Sequence, residues 1–112
     1  MLIVLSQSPF ANTLSQEALE LSLGLASVGL EISLLFIGDG VEHLTANSEQ
    51  QTLATKNFLK NLNCLELYDI TEVYVCESSL RLRNIPVELP NNWQICAEPL
   101  ALLPNYDKHL IL

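Results

Sequence analysis

Residues 2–37, LIVLSQSPFANTLSQEALELSLGLASVGLEISLLFI, hold two short apolar runs separated by one helical pattern. Leu2-Ile3-Val4-Leu5 is apolar without alternation, as expected of a buried strand. Leu14, Ala18, Leu21, Leu25 and Val28 then recur at helical spacing and predict a helix whose apolar stripe they form. Thr13 with Gln16 reads as its capping box and Gly29 as its stop. Ile32 to Ile37 is apolar except for Ser33 and rich in strand formers, again a strand buried on both faces. Two buried strands around a helix predict a parallel pair joined by a crossover.

The same alternation continues along the chain. Gly38-Asp39-Gly40 turns into a short helix from Val41 to Leu44. Ser48 with Gln51 suggests a second capping box, with a helix running to about Leu62. Glu72 to Val75 predicts a third strand, followed by a helical stretch through Arg83. Pro86 and Pro90 make the next connection irregular. Trp93 to Ala97 and Lys108 to Leu112 predict the last two strands, joined across Pro99 and Pro104. The fold class expected is therefore α/β: a three-layer α/β/α arrangement around a mostly parallel sheet of about five strands. At 112 residues the chain is expected to form one domain, 1–112, with a core that needs no metal or disulfide.

Charge narrows the partners. The chain carries 5 basic and 13 acidic residues, for a net charge of -8. Residues 1–55 contain six acidic residues and no Lys or Arg, the first being Lys56. Phosphate neutralisation needs a basic surface, so direct nucleic-acid binding is not expected. The same field repels an anionic membrane. The apolar run Met1 to Leu5 is too short for a signal peptide or a membrane span, so a cytoplasmic location is expected. Cys64, Cys76 and Cys96 are odd in number and share no short spacing, which argues against a disulfide framework or a zinc knuckle.

In an open parallel sheet the chemistry gathers at the carboxyl ends of the strands. Four such ends are Ser6-Gln7-Ser8, Gly38-Asp39-Gly40, Cys76-Glu77-Ser78 and Cys96-Ala97-Glu98. None carries a dinucleotide-binding or Walker A glycine pattern. Cys76 is the main candidate. It follows Val73-Tyr74-Val75 and precedes a helix, where backbone N–H groups and the helix dipole favour a thiolate. That suits a sulfur nucleophile or a persulfide carrier; a buried small hydrophobe is the alternative. Glu77 beside it would oppose the thiolate if it pointed the same way. Cys96 stands near another strand end and could approach Cys76, although Ile95-Cys96-Ala97 reads as core. Cys64 reads as packing, His43 as a surface residue ahead of a proton donor near a ligand, and His109 as structural. Asp39 reads as an N-cap, and Arg81 and Arg83 as solvated or paired with acidic neighbours. No metal site and no cofactor are expected from this set.

Four segments together resemble a known family. Phe36-Ile37-Gly38-Asp39-Gly40-Val41, Leu67-Tyr68-Asp69-Ile70, Val75-Cys76-Glu77-Ser78-Ser79-Leu80-Arg81-Leu82-Arg83 and Asn105-Tyr106-Asp107 are similar, in order and spacing, to the TusC/DsrF-type subunits of the DsrE-like sulfur-relay family. Between Pro9 and Glu17 the chain differs, carrying Phe10-Ala11-Asn12-Thr13 and Gln16 where the family tends to carry glycines and an arginine. The resemblance implies a cytoplasmic heterohexamer with sister TusB/DsrH-like and TusD/DsrE-like subunits, with self-association when the chain is isolated. It implies the passage of persulfide sulfur between upstream and downstream carrier proteins, ending in 2-thiolation of a tRNA wobble uridine or serving dissimilatory sulfur oxidation. It also implies that the principal sulfur-accepting cysteine belongs to the TusD/DsrE-type sister. Cys76 is then either a persulfide carrier itself or an idle thiol in a supporting subunit. A small-ligand-binding α/β module is the remaining reading.

Overall fold

The chain follows the order β1 (Leu2–Leu5), α1 (Leu14–Ser27), β2 (Ser33–Phe36), a 3-10 helix (Gly38–Leu44), a second (Leu65–Tyr68), β3 (Val73–Cys76), α2 (Glu77–Leu82), β4 (Trp93–Cys96), a third 3-10 helix (Pro99–Asn105) and β5 (His109–Ile111). This computed structural model describes residues 1–9, 11–44, 61–85, 89 and 92–112. The Ser48–Gln51 capping box, Phe10, Pro86 and Pro90 lie outside the described residues, as does all but the end of the helix expected to reach Leu62. Asn61 and Leu62 are helical. Among the described residues, no helix is long and apolar enough to cross a membrane.

The five strands form one sheet in the order β4-β3-β2-β1-β5, with every pairing parallel. This is the α/β architecture that the alternation of strands and helices requires. Period two divides the sheet into two apolar faces. On one, Ile3, Leu5, Leu34, Phe36, Val73 and Val75 pack with Ala18 and Leu19 of α1 and Leu80 of α2. Trp93 extends this face, its ring stacked on Phe36 with centroids 5.6 Å apart. On the other, Leu2, Val4 and Leu35 meet Ile37, Tyr74 and, from the third 3-10 helix, Leu102 and Leu103. The fully buried Phe36 anchors the larger cluster, and its truncation to Ala would cost about 3–5 kcal/mol.

Helix α1 forms where expected but rolls onto a different stripe. Ser15, Ala18, Leu19 and Ser22 are buried, whereas Leu14, Leu21 and Val28 are exposed. Of the stripe read from the sequence, only Ala18 is fully inside, with Leu25 packed at the edge of the core. Small residues let the helix lie close to the sheet, and the buried hydroxyls find acceptors nearby: Ser22 Oγ donates to Ala18 O and Ser15 Oγ to Gln7 O. The Thr13–Gln16 capping box does not form. Thr13 occupies the N-cap without a side-chain cap bond, and Asn12 Oδ1 accepts from Leu14 N–H instead. Gly29, at φ +96°, ends the helix as expected.

The edge strand β4 also departs from the reading of Ile95-Cys96-Ala97 as core. It has one neighbour, and the side chain of Ile95 is 42% exposed.

Candidate functional site

Three carboxyl strand ends converge on one cleft. β2 leads through Ile37 into Gly38, β3 ends at Cys76, and β4 leads through Glu98 into Pro99-Leu100-Ala101. Together with Ser78 and Ser79 of α2, these residues line a cavity of about 570 Å³. Its far wall is apolar, and Leu100 at its rim is 74% exposed. Of the four strand ends picked from the sequence, the first is tied up elsewhere: Ser6 Oγ donates to Leu112 O at 2.6 Å, and Ser8 hydrogen-bonds the Glu42 carboxylate.

Cys76 is the last residue of β3 and the N-cap of α2, and only 2% of it is exposed. Its Sγ lies 3.3 Å from Ser78 Oγ. Burial pushes the thiol up, but the hydroxyls and backbone N–H groups of Ser78 and Ser79 bond to the sulfur and together outweigh it. The net displacement is below the ordinary value of 9.0. Ser79 is itself held in place, because its Oγ accepts from Gly38 N–H at 2.9 Å. Its proton is thereby left to face the sulfur. Glu77, which the sequence flagged as a rival charge, accepts an ion pair from Arg81 one helical turn on.

Two glycines make this approach possible. Gly38 sits at φ +58°, and a Cβ on Gly40 would lie 2.0 Å from Leu5 O. The first 3-10 helix thus presses its backbone onto the end of β1. Arg83 fastens the same helix to α2: it donates to Asp39 Oδ1 at 2.6 Å and to Ser79 O at 3.1 Å. Asp39 therefore serves an ion pair, and it stands inside the first turn of the 3-10 helix instead of before it. As the sequence suggested, both arginines pair with acidic neighbours.

His43 departs from its surface reading. It is 6% exposed, inside the first 3-10 helix, and burial drives its pKa down to about 4 against a smaller upward pull from a hydrogen bond to the Gln7 backbone. The imidazole is neutral at pH 7 and packs the loop after β1. His109 lies in β5, with Nε2 3.0 Å from Leu103 O. Cys64 is half-buried at the start of the second 3-10 helix. Cys96 is half-buried and stands in register beside Cys76 on the neighbouring strand. Among the described residues, no group of three His, Cys, Asp or Glu side chains could hold a metal ion.

Sequence reasoning gave Ser79 and the Pro99–Ala101 wall no role. The signal for Ser79 was present: hydroxyls two and three residues after a cysteine at a strand-to-helix turn are placed to bond its sulfur. The wall carries no such signal, since only the β4–β5 connection brings it over β3.

A second cleft, about 1170 Å³, opens at the opposite end of the sheet and is lined by Tyr68, Asp69, Asn105, Tyr106 and Asp107 among others. There Tyr106 Oη and Ser33 Oγ both donate to Glu72 Oε2, each at 3.0 Å. Burial raises the Tyr106 pKa; the Ser33 hydrogen bond opposes it, and Glu72 and Tyr74 add to it.

The sequence profile of the DsrE/DsrF-like family matches residues 1–102. The chain is 36% identical over 77 residues to Protein TusC of Buchnera aphidicola subsp. Schizaphis graminum, a match covering 69% of this chain and 65% of that protein. It is 31% identical over 85 residues to the Protein TusC homolog of Aliivibrio fischeri, covering 76% of this chain and 72% of the other. Among solved structures, the ychN protein from E. coli shares the fold with a TM-score of 0.71 at 21% identity, covering 99% of this chain and 97% of that one.

Proposed function

The chain belongs to the DsrE/DsrF-like family, and we propose that it is a TusC-type subunit of a sulfur-relay complex. From the surroundings of its sulfur we further propose that Cys76 accepts sulfur alongside the sister's principal cysteine. The complex hands persulfide sulfur from one carrier protein to the next, toward 2-thiolation of a tRNA wobble uridine. Contact is with proteins, and a net charge of -8 agrees with a surface that does not itself hold tRNA.

The observation that carries this reading is the Cys76 sulfur surrounded by Ser78 and Ser79 donors at the floor of the cleft. In the transfer, the Cys76 thiolate attacks the outer sulfur of a carrier persulfide. A new S–S bond forms at Cys76, the S–S bond of the carrier breaks, and the carrier leaves as a thiolate. No net oxidation occurs. The donors that favour the Cys76 thiolate also favour the persulfide anion that replaces it.

One observation favours a second reading, in which this chain only supports a catalytic sister: at 2% exposure, Cys76 is reached through the cleft alone. Co-expression with TusB- and TusD-type sisters tests membership, and intact-mass measurement after exposure to a carrier persulfide tests the thiol. One added sulfur on this chain, lost in Cys76→Ser, is the expected result. Sulfur appearing only on a sister, with the Cys76→Ser complex loading normally, would assign the supporting role.

A further inference from the structure

Strand register brings Cys76 beside a second thiol. Cys76 pairs with Cys96 across the parallel β3–β4 ladder, and both are free cysteines. Neighbouring strands lie about 4.8 Å apart, within the Cα separation of about 4.4–6.8 Å that a disulfide spans. The two residues also share a face. Val73 and Val75 point into the larger core with Trp93, while Tyr74 points into the smaller one. Period two then puts Cys76, and with it Cys96, on the Tyr74 side.

We propose that Cys96 is the resolving thiol for Cys76, so that the carboxyl end of the sheet carries a dithiol–disulfide couple. Unlike Cys76, Cys96 sits on an edge strand, half-buried, with exposed Gln94 and Ile95 before it. That strand has one neighbour to restrain it and can adjust by the small amount that closing the bond requires.

The chemistry balances with a low-molecular-weight disulfide as oxidant. The Cys76 thiolate attacks one sulfur of glutathione disulfide, forming a mixed disulfide and releasing one glutathione thiolate. Cys96 gives its proton to water and attacks Cys76 Sγ. The Cys76–Cys96 bond forms, the bond to glutathione breaks, and a second glutathione thiolate departs. Two electrons pass from the protein dithiol to the small disulfide. Under the function proposed above, the same attack on a Cys76 persulfide would expel hydrosulfide, so Cys96 would limit how long the sulfur stays. The couple itself does not rest on that function.

The test uses the full chain with Cys64→Ser, exposed to glutathione disulfide, quenched in acid and read by intact mass and peptide mapping. The expected product is two hydrogens lighter, carries no glutathione and links Cys76 to Cys96. Adding Cys96→Ser or, as a second variant, Cys96→Ala should leave one glutathione on Cys76, at least ten-fold more adduct than with Cys96 present. A lasting Cys76 adduct with Cys96 intact, a disulfide between two chains, or no reaction at Cys76 would each overturn the proposal. Because this arm uses no persulfide, its failure is distinct from failure of the sulfur-relay reading.

Discussion

The two ends of the sheet are built from the same kind of material and do opposite things with it. At the carboxyl end, Ser78 and Ser79, the latter held by Gly38 N–H, donate to the Cys76 sulfur, which is easier to ionise than usual. At the amino end, Tyr106, Ser33 and Glu72 form a polar cluster around a phenol that is harder to ionise than usual. Segments that resemble one family line both clefts. Burial disfavours both anions, and the ends differ in that donors outweigh it at the sulfur but not at the phenol. Surrounding hydroxyls donate to the sulfur and stabilise its anion, whereas the phenol donates its proton to a carboxylate and keeps it. The first arrangement prepares a nucleophile; the second ties β2, β3 and the β4–β5 connection together.

The largest effect expected is at the base of the carboxyl end. Gly40→Ala would drive a Cβ into Leu5 O and should destabilise the fold by at least about 3 kcal/mol, read as a lowered urea midpoint. A variant as stable as the parent would mean that the first 3-10 helix is not pressed on β1.

Next comes His43, whose folded pKa of about 4 lies below the ordinary 6.5. Between those values the unfolded chain binds more protons, so stability should fall by about 2–3 kcal/mol as pH drops from 6.5 to 4. His43→Gln should flatten this dependence in urea titrations.

Ser79→Ala sharpens the contrast further. It removes the acceptor for Gly38 N–H and a donor to Cys76, at about 1–2 kcal/mol. It should also slow Cys76 alkylation at neutral pH several-fold, because the thiolate loses a partner. Equal alkylation rates would break the assignment of Ser79 to the sulfur.

The smallest effect belongs to the amino end. Tyr106→Phe should cost about 1 kcal/mol and leave Cys76 alkylation unchanged. Because the folded pKa of Tyr106 is raised, its contribution is present below the ordinary value of 10 and is lost as pH rises beyond it. The variant should therefore resist alkaline unfolding better than its parent, relative to neutral pH.

How much of this was written in the sequence depends on whether the signal was local. Strand runs such as Leu2–Leu5 and Ser33–Phe36 are buried on both faces, so composition alone marks them, and the all-parallel sheet follows from their alternation with helices. Cys76 was legible for the same reason, standing at a strand-to-helix turn. The roll of α1 was not, because Leu14 and Leu21 fit the helical period as well as Leu19 does. The close packing of Ser15, Ala18 and Ser22 decided the outcome, and that depends on the sheet. His43 was misplaced because nothing within its 3-10 helix reveals that the loop after β1 closes over it. That Cys96 could approach Cys76 was legible from their strand ends, but their register is fixed between strands distant in sequence and emerges only once both are laid in one sheet.

The measurement to make first is the pH profile of Cys76 alkylation, in protein carrying Cys64→Ser and Cys96→Ser, against the same chain in denaturant. Access through the cleft scales the rate at every pH but does not move the midpoint. A midpoint for the folded protein clearly below that of the denatured chain, near the ordinary 9.0, is the expected result. A folded midpoint at or above the denatured one would mean that burial wins over the Ser78 and Ser79 donors, and that the carboxyl end holds an inert thiol.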